Sequence, residues 1–84
     1  MKILHCHRLD EPVSDGHCCL AAVDLQLNPD VRLYGLRLLR MRDGKHLVFA
    51  PQSGRRRVAT FSTPMAQRLT ALALEAYEAA YGSA

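Results

Sequence analysis

The sequence predicts an α+β domain in which a small antiparallel sheet of four to five strands is packed by one C-terminal helix. Three observations predict this class. Apolar residues alternate with period two through the first half of the chain, Asp43-Gly44 separates two such segments, and apolar residues recur at helical spacing after Pro64. With 84 residues, the chain has room for one domain, residues 1–84, and for one modest core.

Period-two patterning predicts the strands, and turn residues predict their ends. Asp10-Glu11-Pro12 and Ser14-Asp15-Gly16 close the first hairpin, and Asn28-Pro29-Asp30 ends the second strand. Asp43-Gly44 predicts a type I′ turn, which suits the twist of a hairpin. The predicted strands cover residues 2–9, 17–27, 31–41 and 46–50, with a short fifth strand at 58–61 after a basic loop.

The third predicted strand is apolar on both faces. Strict alternation places its apolar residues in two sets: Leu33, Leu39 and Met41 on one face, and Tyr34, Leu36 and Leu38 on the other. Such a strand needs cover on both sides. With one helix available, the second cover comes either from another subunit or from a strand rearranged around a β-bulge at Gly35. The first alternative predicts a dimer.

The C-terminal helix is predicted over residues 64–81. Thr63 is the expected N-cap, Pro64 is expected at N1, and Gly82 suits the left-handed residue that follows a helix. Helical spacing predicts a stripe that packs on the sheet and a polar face that points away. The stripe comprises Met65, Leu69, Leu72, Ala73, Ala76, Tyr77 and Ala80, and the polar face comprises Gln67, Thr70, Glu75 and Glu78.

Composition favours a cytoplasmic protein with a positive face. The N-terminus lacks the apolar segment of a signal peptide, and no apolar run is long enough to cross a membrane. The odd count of three cysteines predicts reduced thiols. Nine of the eleven Lys and Arg residues lie between Arg32 and Arg68, a segment whose one acid is Asp43.

Catalytic and metal-binding sites are not expected. No nucleophile, base and acid can be assembled, and no phosphate-binding glycine motif is present, so we expect no catalysis, cofactor or small-molecule substrate. His5-Cys6-His7 and His17-Cys18-Cys19 suggest zinc ligands. Neighbouring strand residues alternate between faces, however, so we favour the interpretation that these cysteines are small core residues and that no metal binds.

Basic residues are the strongest candidates for binding. Arg55, Arg56 and Arg57 are expected in a loop, where three guanidinium groups repel one another unless an anion neutralises them. Arg68 and the helix N-terminus could join them around a phosphate. A solvated basic surface is an equally good explanation. The strand residues Arg37, Arg40 and Arg42 are less informative, because basic residues on an edge strand also block unwanted pairing.

Four motifs in this order resemble the stage V sporulation protein G family, the SpoVG-like septation regulators. They are Ala21-Ala22-Val23-Asp24-Leu25, Val31-Arg32-Leu33-Tyr34-Gly35-Leu36-Arg37-Leu38, Gly44 with Leu47-Val48-Phe49-Ala50-Pro51 before a basic loop, and Leu74-Glu75-Ala76-Tyr77. The similarity covers residues 4–78. It implies a homodimer that binds DNA or RNA and acts as a bacterial regulator linked to septation and sporulation.

The same resemblance implies that the family's basic loop corresponds to Arg55, Arg56 and Arg57 and that its basic helix position corresponds to Arg68. A different class remains open, a protein-interaction module in which a sheet edge or a dimer groove receives a partner and the arginines only add solubility. Salt separates the two, because phosphate contacts weaken steeply as salt rises and an apolar groove does not.

Overall fold

The computed structural model describes residues 1–53 and 56–82. An antiparallel sheet has the order β1-β2-β3-β4, a separate two-stranded pair joins β5 to β6, and a C-terminal helix follows. The predicted α+β class, a small antiparallel sheet packed by one C-terminal helix, is confirmed. The elements are β1 (Lys2–Pro12), a 3-10 turn (Ser14–Gly16), β2 (Cys18–Asn28), β3 (Val31–Arg40), β4 (His46–Phe49), β5 (Gln52–Ser53), β6 (Arg56–Arg57) and α1 (Thr63–Tyr81).

The core lies between one face of the sheet and α1. The helix contributes Leu69, Ala73 and Tyr77, which are buried as the helical spacing predicts, whereas Ala80 at the end of the predicted stripe is exposed. Burying a leucine or valine side chain contributes about 1.5–3 kcal/mol, so these contacts fix the helix on the sheet. The sheet contributes Leu20, Ala21, Val23, Leu25, Leu36, Leu38 and Val48.

A β-bulge in β3 decides which residues face the helix. Asp24 of β2 lies opposite two residues of β3, Tyr34 and Gly35, between the register pairs Leu25↔Leu33 and Val23↔Leu36. Gly35 has φ +70°, which glycine adopts without strain, and its N–H donates to Asp24 Oδ1 at 2.9 Å. The extra residue shifts the alternation by one, so Leu33 joins Leu36 and Leu38 on the helix face.

The sequence left two alternatives for the third strand, a second subunit or a β-bulge at Gly35, and the structure has the bulge. Leu33, Leu36 and Leu38 share the face that α1 covers, whereas Tyr34 and Leu39 remain on the opposite face. The bulge therefore accounts for part of the apolar pattern of β3, and the homodimer remains a prediction.

The first hairpin is longer than predicted. The strand β1 continues through the expected turn residues to Pro12, and its register with β2 shifts between Arg8 and Glu11. Asp10 has φ +48° at this irregularity, which is why its turn-forming sequence is compatible with a strand. The chain reverses at the second of the two predicted turn segments, Ser14-Asp15-Gly16, where the Val13 N–H donates to the His17 carbonyl at 2.8 Å.

The β3–β4 turn is not the predicted type I′ turn. The Gly44 N–H donates to the Met41 carbonyl at 2.9 Å, so Arg42 and Asp43 are the two central residues. A type I′ turn needs positive φ at both central residues, and neither Arg42 nor Asp43 has it. Gly44, the residue after them, has φ +89°. The Met41 N–H closes the loop on the Lys45 carbonyl at 2.7 Å. The glycine therefore follows the turn and restores the strand direction.

Two further predictions are corrected near the helix. Residues 58–61, which the structure describes, form no strand, and β6 pairs with β5 instead. The N-cap is Ser62 rather than Thr63, because the Ser62 Oγ accepts the Met65 N–H at 3.3 Å. Both residue types are good caps. Gly82 ends the helix with φ +90°, and its N–H donates to the Glu78 carbonyl.

The helix reaches both outer strands of the sheet through hydrogen bonds. Thr70, predicted to point away from the sheet, instead accepts the Val48 N–H of β4 with its Oγ1 at 2.9 Å. At the other end, the Tyr81 hydroxyl donates to the Cys6 carbonyl of β1 at 3.1 Å. The helix therefore crosses the sheet and binds a backbone group on each of its two edge strands.

A polar cluster fixes the C-terminal half of the helix to β1. The Tyr77 hydroxyl donates to Asp10 Oδ1 at 2.8 Å, and the Arg8 guanidinium pairs with the other oxygen of the same carboxylate. The Arg8 guanidinium also lies 5.5 Å from the centre of the Tyr81 ring. The hydrogen bonds from Arg8 and Tyr77 lower the pKa of Asp10, so the carboxylate is charged at neutral pH.

Candidate functional site

The structure describes three of the four arginines that the sequence selects. Arg56 and Arg57 form β6, so they lie in a short strand pair rather than in the predicted loop, and Arg55 is outside the described residues. Arg56 is exposed to solvent, as is Arg68 in the second turn of α1. Exposed guanidinium groups keep all their donors available for a partner.

A half-open groove of ≈ 650 Å³ lies beside the arginine strand pair. Its walls come from β4, from the first turns of α1 and from the segments on either side of the strand pair. Pro51 precedes β5 and Ala59 follows β6, and both line the groove. Chain continuity therefore places the strand pair at one end of the groove.

His46, one of the residues that line the groove, has a buried ring nitrogen. His46 Nε2 is buried and has no hydrogen-bond partner among the described residues. An unpaired buried polar atom costs about 1–3 kcal/mol.

The helix N-terminus offers less to an anion than the sequence suggests. Pro64 has no N–H, the Met65 N–H is bound by the Ser62 side chain, and the Ala66 N–H donates to the Ser62 carbonyl at 2.8 Å. At most the Thr63 N–H remains for a ligand in this first turn. The arginine side chains would therefore supply most of the charge at any phosphate site here.

Three carboxylates of the described turns and strands have structural partners. Asp10 binds Arg8 and Tyr77, Asp24 binds the Gly35 N–H, and Asp43 accepts the Lys45 N–H at 2.9 Å. Among residues 1–53 and 56–82, no group of three or more His, Cys, Asp or Glu side chains is placed to hold a metal ion.

The three cysteines are free thiols with different exposure. Cys19 is buried, and Cys6 and Cys18 are partly buried. Burial raises the pKa of the Cys19 thiol and that of the Cys6 thiol. A raised pKa keeps a thiol protonated and weakly nucleophilic at neutral pH, which agrees with the interpretation that these residues fill space.

Arg37 has a different position from the one that the sequence suggests. The strand β3 lies between β2 and β4, so protection of a sheet edge does not explain a basic residue there. Arg37 is exposed and its register partners are Ala22 and Phe49. Period-two alternation already predicts that Arg37 lies on the opposite face of β3 from Leu36 and Leu38. Its pairing with Phe49 could not be predicted, because it depends on the strand register.

Comparisons with known proteins identify no family for this chain. No family model matches it, and neither curated proteins nor solved structures give a significant match. The resemblance to the SpoVG-like regulators therefore rests on the four sequence motifs and stays a prediction. No helix in the described part of the chain is long and apolar enough to cross a membrane.

Proposed function

We propose that this protein binds DNA or RNA in the cytoplasm through phosphate contacts of Arg55, Arg56, Arg57 and Arg68 and acts as a regulator without catalytic activity. The exposure of Arg56 and Arg68 on either side of the segment that links the strand pair to α1 is the observation that supports it most. Arginine binds phosphate through a planar set of donors, and solvent-exposed side chains can adjust to an irregular backbone.

Charge distribution supports the same function. Nine of the eleven Lys and Arg residues fall between Arg32 and Arg68, so the positive charge is concentrated in the half of the chain that contains the strand pair. Phosphate contacts fix position without selecting sequence. Binding through these arginines is therefore expected to be tolerant of sequence.

The biological setting follows from the family resemblance. A homodimer would bring two sets of arginines to one nucleic acid and increase the number of simultaneous phosphate contacts. The role in septation and sporulation belongs to the same proposal. A native mass of one subunit at micromolar concentration would contradict the homodimer.

The alternative of a protein-interaction module has less support at the sheet edges. A peptide strand that added to β4 or β1 would compete with the hydrogen bonds from Thr70 to Val48 and from Tyr81 to Cys6. The half-open groove is the remaining place for such a partner. Its binding would show little dependence on salt.

The experiment is fluorescence anisotropy with labelled single-stranded and duplex oligonucleotides at low salt. Wild type is compared with a triple variant, Arg55→Ala, Arg56→Ala and Arg57→Ala, and with Arg68→Ala alone. Lys45→Ala is the matched control, since Lys45 is exposed on the β3–β4 turn and its loss also removes one positive charge.

We expect the triple variant and Arg68→Ala to weaken binding and Lys45→Ala to leave it nearly unchanged. An equal loss in Lys45→Ala and Arg68→Ala would show that net charge, not a defined site, governs affinity. The absence of binding by wild type at low salt would overturn the nucleic-acid function, and a search for a protein partner would replace it.

A further inference from the structure

Among the described residues, no helix packs on the face of the sheet opposite α1, here called the open face. The register aligns its residues in rows that cross the strands. One row is Lys2, Gln26 and Arg32, a second is His7, Ala22, Arg37 and Phe49, and a third is Cys19, Leu39 and Leu47. Tyr34 lies between the first two rows, at the bulge opposite Asp24.

Two aromatic side chains of the open face are exposed to water over about half of their surface. Tyr34 is 60% exposed and Phe49 is 42% exposed. Tyr77, the aromatic residue on the helix side, is 4% exposed. An aromatic ring on a flat, solvated sheet can bury its face only against a partner, and such rings are typical of binding surfaces.

Cationic side chains accompany these rings. Arg37 is the direct register partner of Phe49, and Lys2 and Arg32 lie at the two ends of the first row. The acids of the same face are Asp24, which accepts the Gly35 N–H, and Glu11, whose register partner is Cys19 at the far end. The central part of the open face therefore combines exposed rings with positive charge.

We propose that the open face binds single-stranded nucleic acid, with bases stacked on Phe49 and Tyr34 and the backbone phosphates held by Arg37 and Arg32. Four-stranded antiparallel sheets that carry exposed aromatic residues provide such a stacking surface, because every base has a π-face. This binding mode rests on the proposed nucleic-acid function and adds to it a substrate class, unpaired strands rather than duplexes.

The separation of the two rings supports contacts with different bases. Tyr34 is three residues from Arg37 along β3, and Phe49 lies on the adjacent strand. Strand geometry places the two positions about 10 Å apart. One base cannot span that distance, so each ring would stack on its own base. Duplex DNA hides its base faces and cannot use this surface.

Charge argues against a second copy of the chain as the occupant. In a two-fold interface the same patch meets itself. Arg37 and Arg32 would then approach their own counterparts, while the exposed acid of this face, Glu11, lies at its far end and Asp24 is only partly exposed. A polyanion satisfies the positive charge of the face, whereas self-association adds to it.

The test is anisotropy with a single-stranded oligonucleotide and its duplex, using wild type and the double variant Tyr34→Leu, Phe49→Leu. Leucine keeps apolar volume and removes the stacking ring. Val13→Ala is the control, because Val13 is 46% exposed in the β1–β2 turn. Circular dichroism melting of each variant checks its folding, and photocrosslinking of wild type with mass spectrometry maps the contact without any substitution.

We expect single strands to bind more tightly than duplexes. Each ring that is removed should weaken single-strand binding about fivefold or more, and the double variant removes two. Val13→Ala should match wild type, and crosslinks should fall in β3 and β4. Unchanged binding by the double variant, while the arginine variants lose affinity, would overturn the stacking mode alone. No binding by wild type would remove the proposed function as well. A wild-type dimer that the double variant dissociates would overturn the proposal by assigning the face to subunit contact.

Discussion

Thr70 gives the sharpest test of how α1 is attached to the sheet. Its Oγ1 accepts the Val48 N–H at 2.9 Å and its hydroxyl donates to the Ala66 carbonyl at 2.7 Å. Thr70→Ala removes both hydrogen bonds and leaves a partly buried N–H of β4 without a partner. Such a loss costs about 1–3 kcal/mol, and the better helix propensity of alanine returns at most about 0.7 kcal/mol.

Thr70→Ser provides the comparison that isolates the hydroxyl. Helix propensity alone makes the alanine variant more stable than the serine variant. The hydrogen bond to Val48 reverses that order, and we expect Thr70→Ser to exceed Thr70→Ala by about 1 kcal/mol in its free energy of unfolding.

Urea denaturation followed by circular dichroism measures the two free energies, and thermal melting gives an independent value. For a domain of this size, 1 kcal/mol corresponds to about 4–8 °C in melting temperature. If Thr70→Ala is as stable as Thr70→Ser, the hydrogen bond between Thr70 and β4 does not contribute as described, and the packing of α1 on that edge needs revision.

Three further predictions concern stability. Gly35→Ala should lower the free energy of unfolding, measured by urea denaturation, by about 1–2 kcal/mol, because Gly35 has φ +70°. The loss comes from the backbone conformation, since no atom lies within 4 Å of the added Cβ. Gly35→Asn should lose less, because asparagine tolerates positive φ better than alanine. The pKa of Asp10 is lowered in the folded state, so its charged carboxylate stabilises the fold above the unfolded pKa, and this stabilisation is lost as pH falls through the folded pKa. Tyr77→Phe removes one of the hydrogen bonds that lower this pKa, so the free energy of unfolding should depend less steeply on pH in the acid range. Leu69→Ala should lose about 2–5 kcal/mol in thermal or urea unfolding, since Leu69 is fully buried; a smaller loss would place the helix differently.

The sequence contained enough information for the class of fold. Alternation defined the four main strands to within a few residues, and the helical stripe through Leu69, Ala73 and Tyr77 identified the buried face of α1. These patterns are strong because each element buries one face and the buried face needs apolar side chains.

Details that depend on register could not be predicted in the same way. A bulge shifts the alternation by one residue, and the only sign of this bulge in the sequence is Gly35, a residue type that also occurs in turns. The bulge was one of two alternatives for β3, and hydrogen bonding to Asp24 distinguishes it. The role of Thr70 likewise depends on an unpaired N–H that only the assembled edge strand presents.

The candidate site was predicted in part. Exposure of Arg56 and Arg68 follows from the general cost of burying a guanidinium group. The two-residue strand at Arg56–Arg57 was not expected, because a run of arginines has no apolar alternation that marks a strand. The open face was overlooked since Tyr34, Arg37 and Phe49 come together only through the strand register.

The most direct test of nucleic-acid binding is the salt dependence of wild-type affinity for a single-stranded oligonucleotide. Phosphate contacts of Arg32 and Arg37 on the open face would steepen the plot of log affinity against log salt. If Arg55, Arg56, Arg57 and Arg68 alone each neutralise one phosphate, its slope should be about −3. Affinity should then fall about 50-fold between 50 and 200 mM salt. A slope near zero, or no binding at the lowest salt, would contradict the proposal that phosphate contacts are the basis of its function.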